Sequence, residues 1–222
     1  MAELHVLRVF CGPDGGGNPL GVFLEGGEVA EERRQQVAME LGFAETVFVD
    51  DAATGALRIF TPVEEIPFAG HPLVGTAWLL AREGEQLPTL RTPAGEVGVH
   101  VHDGLTYISG RPEWSPPFEL VRMGSAAEID ELEGPPGDAG MVDAWAWIDE
   151  EAGVLRSRVF VPEFGIAEDE ATGSAAIMLA AHLDREIEIH QGKGSRLRAR
   201  PVGGGLVEVG GAVMLDEVRD HA

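Results

Sequence analysis

Cysteine is nearly absent from this sequence, because Cys11 is the only one in 222 residues. A single thiol cannot form an internal disulfide, a thiolate zinc site or a two-thiol acid/base pair. Long apolar runs are missing too, since none approaches the ~18 residues that a membrane-spanning helix needs. The N-terminal segment MAELHVLRVF has neither the basic region nor the cleavage site of a signal peptide. We therefore expect a cytoplasmic protein without a membrane partner.

Basic residues are scarce as well. Sixteen Lys and Arg stand against 38 Asp and Glu, which gives a formal net charge of −22 at pH 7. Nucleic acids and anionic membranes would be repelled by this charge, so we expect neither as a partner. A small anionic substrate is still compatible with it, because the local field of a helix terminus can outweigh a distant net charge.

Glycine and proline are abundant, with 30 and 14 residues, and 44% of the chain is hydrophobic. So many turn formers favour a strand-rich architecture over a helical bundle. The chain is long enough for one large domain or for two of about 100 residues each.

One stretch organises the chain, residues 58–80, with the sequence RIFTPVEEIPFAGHPLVGTAWLL. It predicts a strand at Leu57–Thr61, a loop punctuated by prolines, and an apolar helix that begins at or near His71. Gly70 allows the tight turn before that helix. The first N–H groups of a helix can bind a carboxylate or a phosphate. Taken alone, the stretch is equally compatible with an ordinary strand–turn–helix.

The same pattern occurs a second time, about half the chain later. RVFVP at 158–162 repeats RIFTP, and TGSA at 172–175, before another apolar run, mirrors AGHP. The repeat predicts two similar lobes, each with a strand that leads through a glycine turn into an apolar helix. If the lobes face each other, both helix starts point into one cleft, with His71 on one side and Ser174 on the other.

The remaining segments predict mostly strands joined by glycine turns. We expect an amphipathic helix at Glu28–Leu41 and place the N-terminal lobe at 1–112, with 213–222 added to it, and the C-terminal lobe at 113–212. The predicted strands are His5–Phe10, Leu20–Leu24, Phe43–Val49, the segments of Leu90–Tyr107, one around Ala144–Ile148, Leu155–Val161, Gln191–Val202 and Leu206–Leu215.

Three polar residues are candidates for the cleft. Glu45 shares one side of its strand with Val47 and Val49, because side chains alternate along a strand. It is either a solvated carboxylate at the strand edge or a partly desolvated acid with a raised pKa that suits proton transfer. Asp169, just before the second helix, complements the helix dipole. Asn18 is either a turn residue or an amide directed into the cleft.

Two residue pairs invite other interpretations. His100 and His102 lie two apart on a strand and could bind a metal, but the sequence offers no clear third ligand nearby. We therefore expect exposed histidines and no metal site. Trp145 and Trp147 could line the cleft, join the core or form a dimer contact.

Four blocks together resemble a known family. They are GNPLGVF (17–23), AETVFV (44–49), RIFTPVEEIPFAGHPLVGTA (58–77) and EDEATGSAA (168–176). In this order they resemble the signature of the PhzF-like (phenazine biosynthesis-like) family, within the diaminopimelate-epimerase-like superfamily. The resemblance implies an α+β fold with two similar lobes. Each lobe has a mostly antiparallel or mixed sheet wrapped around a central helix, and the active site lies between them.

The resemblance also implies roles for individual residues. Relatives that racemise amino acids have a cysteine in each lobe before the glycine turn, where this chain has Ala69 and Thr172. In the PhzF-like branch a glutamate moves the proton, and Glu45 matches it. The implied partners are His71 and Asp169 as further catalytic residues and Asn18, Gly70, Gly173 and Ser174 as substrate-binding residues.

The expected activity is that of a cofactor-independent isomerase that moves a proton between carbons of a small carboxylic acid. The reaction typical of the family is isomerisation of trans-2,3-dihydro-3-hydroxyanthranilate. An epimerase of an amino-acid-like substrate is the first alternative, with Glu45 and Asp169 on the two faces of the α-carbon. A non-catalytic binding protein is the second, since residues 110–155 are shortened relative to the family. The resemblance also implies a homodimer.

Overall fold

The structure, a computed structural model, describes residues 2–137 and 140–221. Within these residues the helices are α1 (Glu31–Leu41), α2 (Gly70–Arg82), α3 (Ala126–Asp130) and α4 (Gly173–Leu183). The strands are β1 (Ala2–Cys11), β2 (Asn18–Phe23), β3 (Glu45–Asp51), β4 (Ala56–Phe60), β5 (Glu65–Ile66), β6 (Thr89–Thr92), β7 (Gly95–His102), β8 (Leu105–Gly110), β9 (Glu119–Arg122), β10 (Val142–Asp149), β11 (Val154–Val161), β12 (Ile166–Asp169), β13 (Ile187–Gln191), β14 (Ser195–Gly203) and β15 (Leu206–His221). This composition is α+β, as predicted.

The strands form one sheet, part of which closes on itself. The hydrogen-bonded order runs β1-β2-β3-β4-β6-β7-β8-β15, and β15 pairs back onto β1. Helix α2 packs against β1, β2, β3, β8 and β15. Its side chains are buried almost all round, including Leu73, Val74, Leu79 and Leu80. A helix that is apolar on every side has to lie inside such a ring, because no face of it suits water.

The sheet continues beyond the ring through β14, β13, β11, β10 and β9. Helix α4 packs on β14 and β15, whereas α3 lies against β10 and β11. β15 belongs to both parts, because its first residues pair with β8 and β14 and its later residues pair with β1. The division into lobes at residue 112 stays a prediction.

The sequence repeat reappears as a repeated set of contacts. Arg58 on β4 makes a two-pronged pair with Glu65, with N···O distances of 2.7 and 2.6 Å. Arg158 on β11 makes the same pair with Glu168, at 2.8 and 2.7 Å. Each arginine lies over the phenylalanine two residues later in its strand. The two copies therefore fix the loop before each apolar helix in the same way.

Several boundaries differ from the predictions. The amphipathic helix begins at Glu31, because Gly26–Glu28 form a separate 3-10 turn. The strand predicted at Gln191–Val202 is wrong at its start. Gln191 ends β13, and a turn through Gly192 and Gly194, with φ of 54° and 115°, leads into β14. β13 itself was not predicted.

The tryptophan pair lies on β10 and the histidine pair lies on β7. Trp145 is 3% exposed and belongs to the main core, with Trp147 packed beside it. His100 and His102 lie on β7, with side chains 51% and 36% exposed. Exposed histidines were expected, and this is confirmed for His100, whereas His102 is half-buried and stacks on Tyr107. In the described part of the chain, every helix is too short or too polar to span a bilayer.

Candidate active site

The starts of α2 and α4 touch each other. A Cβ atom placed on Gly70 would lie 2.6 Å from the Cα atom of Gly173, so only glycine allows this approach. The residue before α2 is Ala69, which has no polar side chain, and the hydroxyl before α4, on Thr172, donates to Asp169. The first N–H groups of both helices therefore lie together without a side-chain cap and can serve an anion.

A cavity of about 30 Å³ lies beside these helix starts. Its polar lining consists of Glu45, Asp169, Thr172 and Ser174. Apolar side chains form the rest of the wall, namely Ile66, Phe68, Ala69, Pro116, Phe118, Val161, Phe164 and Ile166. The volume is that of roughly one or two water molecules, so the site is closed in this conformation. The structure thus brings Glu45 and Asp169, far apart in the sequence, to one enclosed space.

Glu45 is the first residue of β3, on the side of the strand that Val47 and Val49 also occupy. Its side chain is 14% exposed. Burial raises the pKa of Glu45 well above its ordinary value, and the negative charge of Asp169 raises it further. Of the two interpretations of Glu45, the structure supports the desolvated acid. Such a carboxyl can both accept and donate a proton near neutral pH.

His71 stands behind Glu45 and does not line the cavity. Its Nε2 atom lies 3.4 Å from Oε2 of Glu45, and its side chain is 2% exposed. Burial lowers the pKa of His71 to about 3, so the imidazole is neutral at physiological pH. Within the described residues, these two facing atoms have no hydrogen-bond partner. Buried polar atoms are rarely left unpaired, and those that are often belong to functional sites.

Asp169 ends β12 and is held from two sides. Asn18 donates from Nδ2 to Oδ1 at 2.6 Å, and Thr172 donates from Oγ1 to Oδ2 at 2.6 Å. Burial raises the pKa of Asp169 to about 6, although both hydrogen bonds act to lower it. Asn18 Nδ2 also donates to the carbonyl of Ala171 and lies 3.4 Å from Nδ1 of His71. Asn18 therefore connects the two halves of the site from behind the cavity.

Sequence reasoning missed two residues of this site. Thr172 was noted only as the position where racemising relatives have cysteine, yet its hydroxyl lines the cavity and contacts Asp169. Gln191 was placed at the start of a strand, whereas it ends β13 and its amide contacts Asp169 and Thr172. Thr172 could have been identified from its position three residues after Asp169. Gln191 had no such signal, because its partners are brought to it by sheet pairing.

Comparison with known proteins supports the family assignment. The profile of the family described as phenazine biosynthesis-like protein matches residues 7–135 and 130–207. Trans-2,3-dihydro-3-hydroxyanthranilate isomerase from Pseudomonas aeruginosa is 33% identical over 266 aligned residues, which cover 95% of this chain and 96% of that protein. The enzyme of the same name from Pseudomonas fluorescens is 32% identical, with 87% of this chain and 84% of that protein covered.

Solved structures agree in fold. A phenazine biosynthesis PhzC/PhzF protein from Clostridium difficile superimposes with a TM-score of 0.80 at 19% identity, with both chains fully covered. A Pseudomonas aeruginosa protein described as a predicted epimerase gives a TM-score of 0.78 at 26% identity, covering 100% of this chain and 99% of that one. On sequence, signature blocks and fold together, the chain belongs to the phenazine biosynthesis-like family and is an isomerase of the PhzF type.

Proposed function

We propose that Glu45 is the general acid/base that removes a proton from one carbon of a small carboxylic acid and returns it to another. The observation that carries this proposal is the position of Glu45. Its desolvated carboxyl lines the cavity at which both helix starts meet. A proton shuttle works best when its pKa lies near the working pH, and burial together with Asp169 moves Glu45 in that direction.

The helix starts supply the complementary positive field. The N–H groups at the beginning of α2 and α4 converge around Gly70 and Gly173, and Ser174 lines the same cavity. These groups would bind the substrate carboxylate and stabilise the enolate-like charge that forms when a neighbouring carbon loses its proton. His71, as a neutral imidazole, would hold the Glu45 carboxyl by accepting a hydrogen bond from its protonated form, without adding a charge of its own.

The substrate we propose is a small cyclic or unsaturated carboxylic acid. The curated relatives are named for trans-2,3-dihydro-3-hydroxyanthranilate, which makes this compound the first to test. A six-membered ring exceeds a cavity of about 30 Å³, so the site has to widen on binding. Pro116 and Phe118 line the cavity from the segment that links β8 to β9, and we expect this segment to move.

The test is proton exchange with solvent. The wild-type protein and trans-2,3-dihydro-3-hydroxyanthranilate are incubated in deuterated water, and NMR follows the product and the carbon that gains deuterium. Glu45→Gln should lower turnover about 10²- to 10⁴-fold, because it removes the proton-transfer group but keeps the shape. Glu96→Gln, an exposed glutamate on β7, is the matched control. Near-wild-type exchange by Glu45→Gln would rule out the role given to Glu45.

Epimerisation is the second candidate, and the pairing of acids favours it. Asp169 is a second buried carboxyl with a raised pKa on the wall of the same cavity. Two such acids on opposite faces of an α-carbon could remove a proton from one side and add it from the other. The same NMR experiment separates the reactions. An epimerase labels the α-carbon with inversion, whereas the proposed isomerase labels a different carbon and moves the double bond.

A further inference from the structure

Gln191 lies beneath the loop that carries Asp169, at the end of β13, and is 2% exposed. Its side-chain amide makes three hydrogen bonds to that loop. Nε2 donates to the main-chain carbonyl of Asp169 at 3.0 Å and to Oγ1 of Thr172 at 2.9 Å. Oε1 accepts from the main-chain N–H of Thr172 at 3.1 Å.

The orientation of this amide is fixed by two backbone groups. The carbonyl of Asp169 can only accept a hydrogen bond, so the NH₂ end of Gln191 must face it. The N–H of Thr172 can only donate, so the oxygen end must face that group. A flipped amide would place like groups together at both contacts and leave two buried backbone groups unpaired, which is costly.

The fixed amide determines the direction of the next hydrogen bond. The Thr172 hydroxyl has one proton, and its oxygen already accepts from Nε2 of Gln191. Its proton is therefore free for Oδ2 of Asp169, at 2.6 Å. Asn18 donates to the other carboxylate oxygen, Oδ1. Both oxygens of Asp169 thus accept, which is the arrangement of an ionised carboxylate.

We infer that Gln191 is a positioning residue that directs the Thr172 proton to Asp169 and so keeps Asp169 ionised in the active site. This role deepens the proposed function and rests on it, since it concerns how one of the two cavity acids is held. An ionised Asp169 can accept hydrogen bonds from an amino or hydroxyl group of the substrate at both oxygens. A protonated one would lose an acceptor and compete with Glu45 as a proton donor.

The charged and titratable groups around Asp169 oppose its ionisation, so hydrogen-bond donors are needed to keep it ionised. Glu45 faces it from β3, and Glu170 follows it in the chain; His71 reaches it from α2 through Asn18. The charge of Glu170 disfavours a negative charge on Asp169, an ionised Glu45 would do the same, and a neutral His71 does not offset them. The donors from Thr172 and Asn18, together with a weaker backbone hydrogen bond from Glu170, are thus the interactions that favour the carboxylate.

The experiment is a double-mutant cycle read out on Asp169 itself. Carbon-13 NMR of labelled aspartate side chains gives the pKa of Asp169 in the ligand-free protein, with Asp169→Asn to assign the signal. Thr172→Val should raise this pKa by about one unit or more, and Thr172→Ser should restore it, because serine keeps the hydroxyl. Gln191→Glu places an acceptor where Nε2 donates, so the Thr172 proton turns away from Asp169 and the pKa rises.

The cycle separates this effect from the added charge. In the Thr172→Val background, Gln191→Glu can act on Asp169 only through its charge and through the lost hydrogen bond to the Asp169 carbonyl, both of which are also present in the Thr172 background. The pKa shift that Gln191→Glu causes should therefore be clearly larger when Thr172 is present. Equal shifts in both backgrounds would overturn the inference. Gln191→Met is the uncharged check: without the amide, the pKa of Asp169 should move part of the way towards the Thr172→Val value, and an unshifted pKa would also overturn it.

The proposed function has its own readout in the same variants. The acidic limb of kcat/KM against pH should move with the pKa of Asp169. If the pKa values shift as expected but the wild-type protein exchanges no substrate proton, the proposed function fails and the role of Gln191 stands. If exchange is normal and the shifts are absent, only the role of Gln191 fails.

Discussion

At the scale of single residues, the site is one of two places among the described residues where burial raises the pKa of a carboxyl group. The other is Asp143 on β10, which is 1% exposed and accepts from the Ser157 hydroxyl at 2.5 Å. Burial raises the pKa of Asp143 to about 6, although the hydrogen bond from Ser157 acts to lower it. Asp143 does not line the cavity, so the main effect of its carboxyl is on the stability of the folded protein.

We predict that Asp143→Asn stabilises the protein at pH 8 by on the order of 2–3 kcal/mol. The folded pKa lies above the unfolded one, so the contribution of Asp143 to stability is present below about pH 4. It is lost as the pH rises through about 6. The amide cannot ionise and still accepts from Ser157. Urea unfolding at pH 4.5 and pH 8 measures the effect.

The control for this prediction is Asp103→Asn, which makes the same charge change in an exposed turn. Asp103 has φ of 53°, a conformation that asparagine tolerates. If Asp143→Asn and Asp103→Asn change the free energy of unfolding equally at both pH values, burial of the Asp143 carboxylate does not destabilise the folded protein and the prediction fails.

Sequence reasoning reached most of the site at this scale, by two different routes. Strand alternation placed Glu45 beside Val47 and Val49, but only the resemblance to the family favoured a catalytic role. The structure then placed its carboxyl in the cavity. The position of Thr172, three residues after Asp169, was a usable signal, whereas the contacts of Gln191 depend on how strands pair, which no local pattern predicts. The functional roles of the seven expected site residues stay predictions.

At the scale of elements, the central contact is that between α2 and α4. A Cβ on Gly70 would lie 2.6 Å from Cα of Gly173, and one on Gly173 would lie 2.8 Å from Cα of Gly70. Both clashes are with backbone, which cannot change rotamer to relieve them. The two helices must therefore separate if either glycine gains a side chain.

We predict that Gly70→Ala and Gly173→Ala each destabilise the protein by about 2–4 kcal/mol and lower turnover further than this loss of folded protein explains. The N–H groups of the two helix starts would no longer converge on one anion. Thermal unfolding and turnover at a temperature where the variants remain folded measure the two effects. Gly27→Ala is the control, because a Cβ there meets no atom within 4 Å. Wild-type activity in both variants would contradict the proposed anion site.

The elements themselves were predictable where glycine or periodicity marks them. The repeat predicted both buried helices, and α2 begins at Gly70, one residue from the expected start. β13 was missed because Ile187–Gln191 alternates apolar and polar residues over only five positions, directly after a helix. Its hairpin partner β14 begins after a turn through Gly192 and Gly194. These glycines are visible in the sequence, but the sequence does not show that they separate two strands.

At the scale of the whole molecule, net charge dominates. A formal charge of −22 on 222 residues opposes compaction by self-repulsion. Raising NaCl from about 10 to 150 mM shortens the screening length from about 30 to 8 Å. We predict that the unfolding temperature rises over this range. The on-rate of an anionic substrate should rise with it, because the repulsion it meets is screened.

Differential scanning calorimetry and stopped-flow binding provide these measurements. Choline chloride is the control, since a general screening effect does not depend on the cation. A falling unfolding temperature would mean that attractive ion pairs, such as those of Arg58 and Arg158, outweigh the net repulsion. Composition favoured a strand-rich architecture and the repeat predicted two buried helices, whereas the α+β class was implied by the resemblance to the family. The homodimer and the lobe boundary are properties of assembly and of long-range pairing, and both stay predictions.

The pairing of β15 has a consequence for how the chain folds. His221 is the register partner of Ala2, and the same strand also completes the edges of β8 and β14. At translation rates of 5–20 residues per second, the roughly 200 residues between β1 and β15 take about 10–40 s to make. Throughout that time one edge of β1 lacks its native cover, and so does one edge of β8 once residues 105–110 have been made. Contacts of such high order slow folding and leave open strands exposed to other chains. The nascent protein therefore passes through an aggregation-prone interval that ends only when β15 arrives.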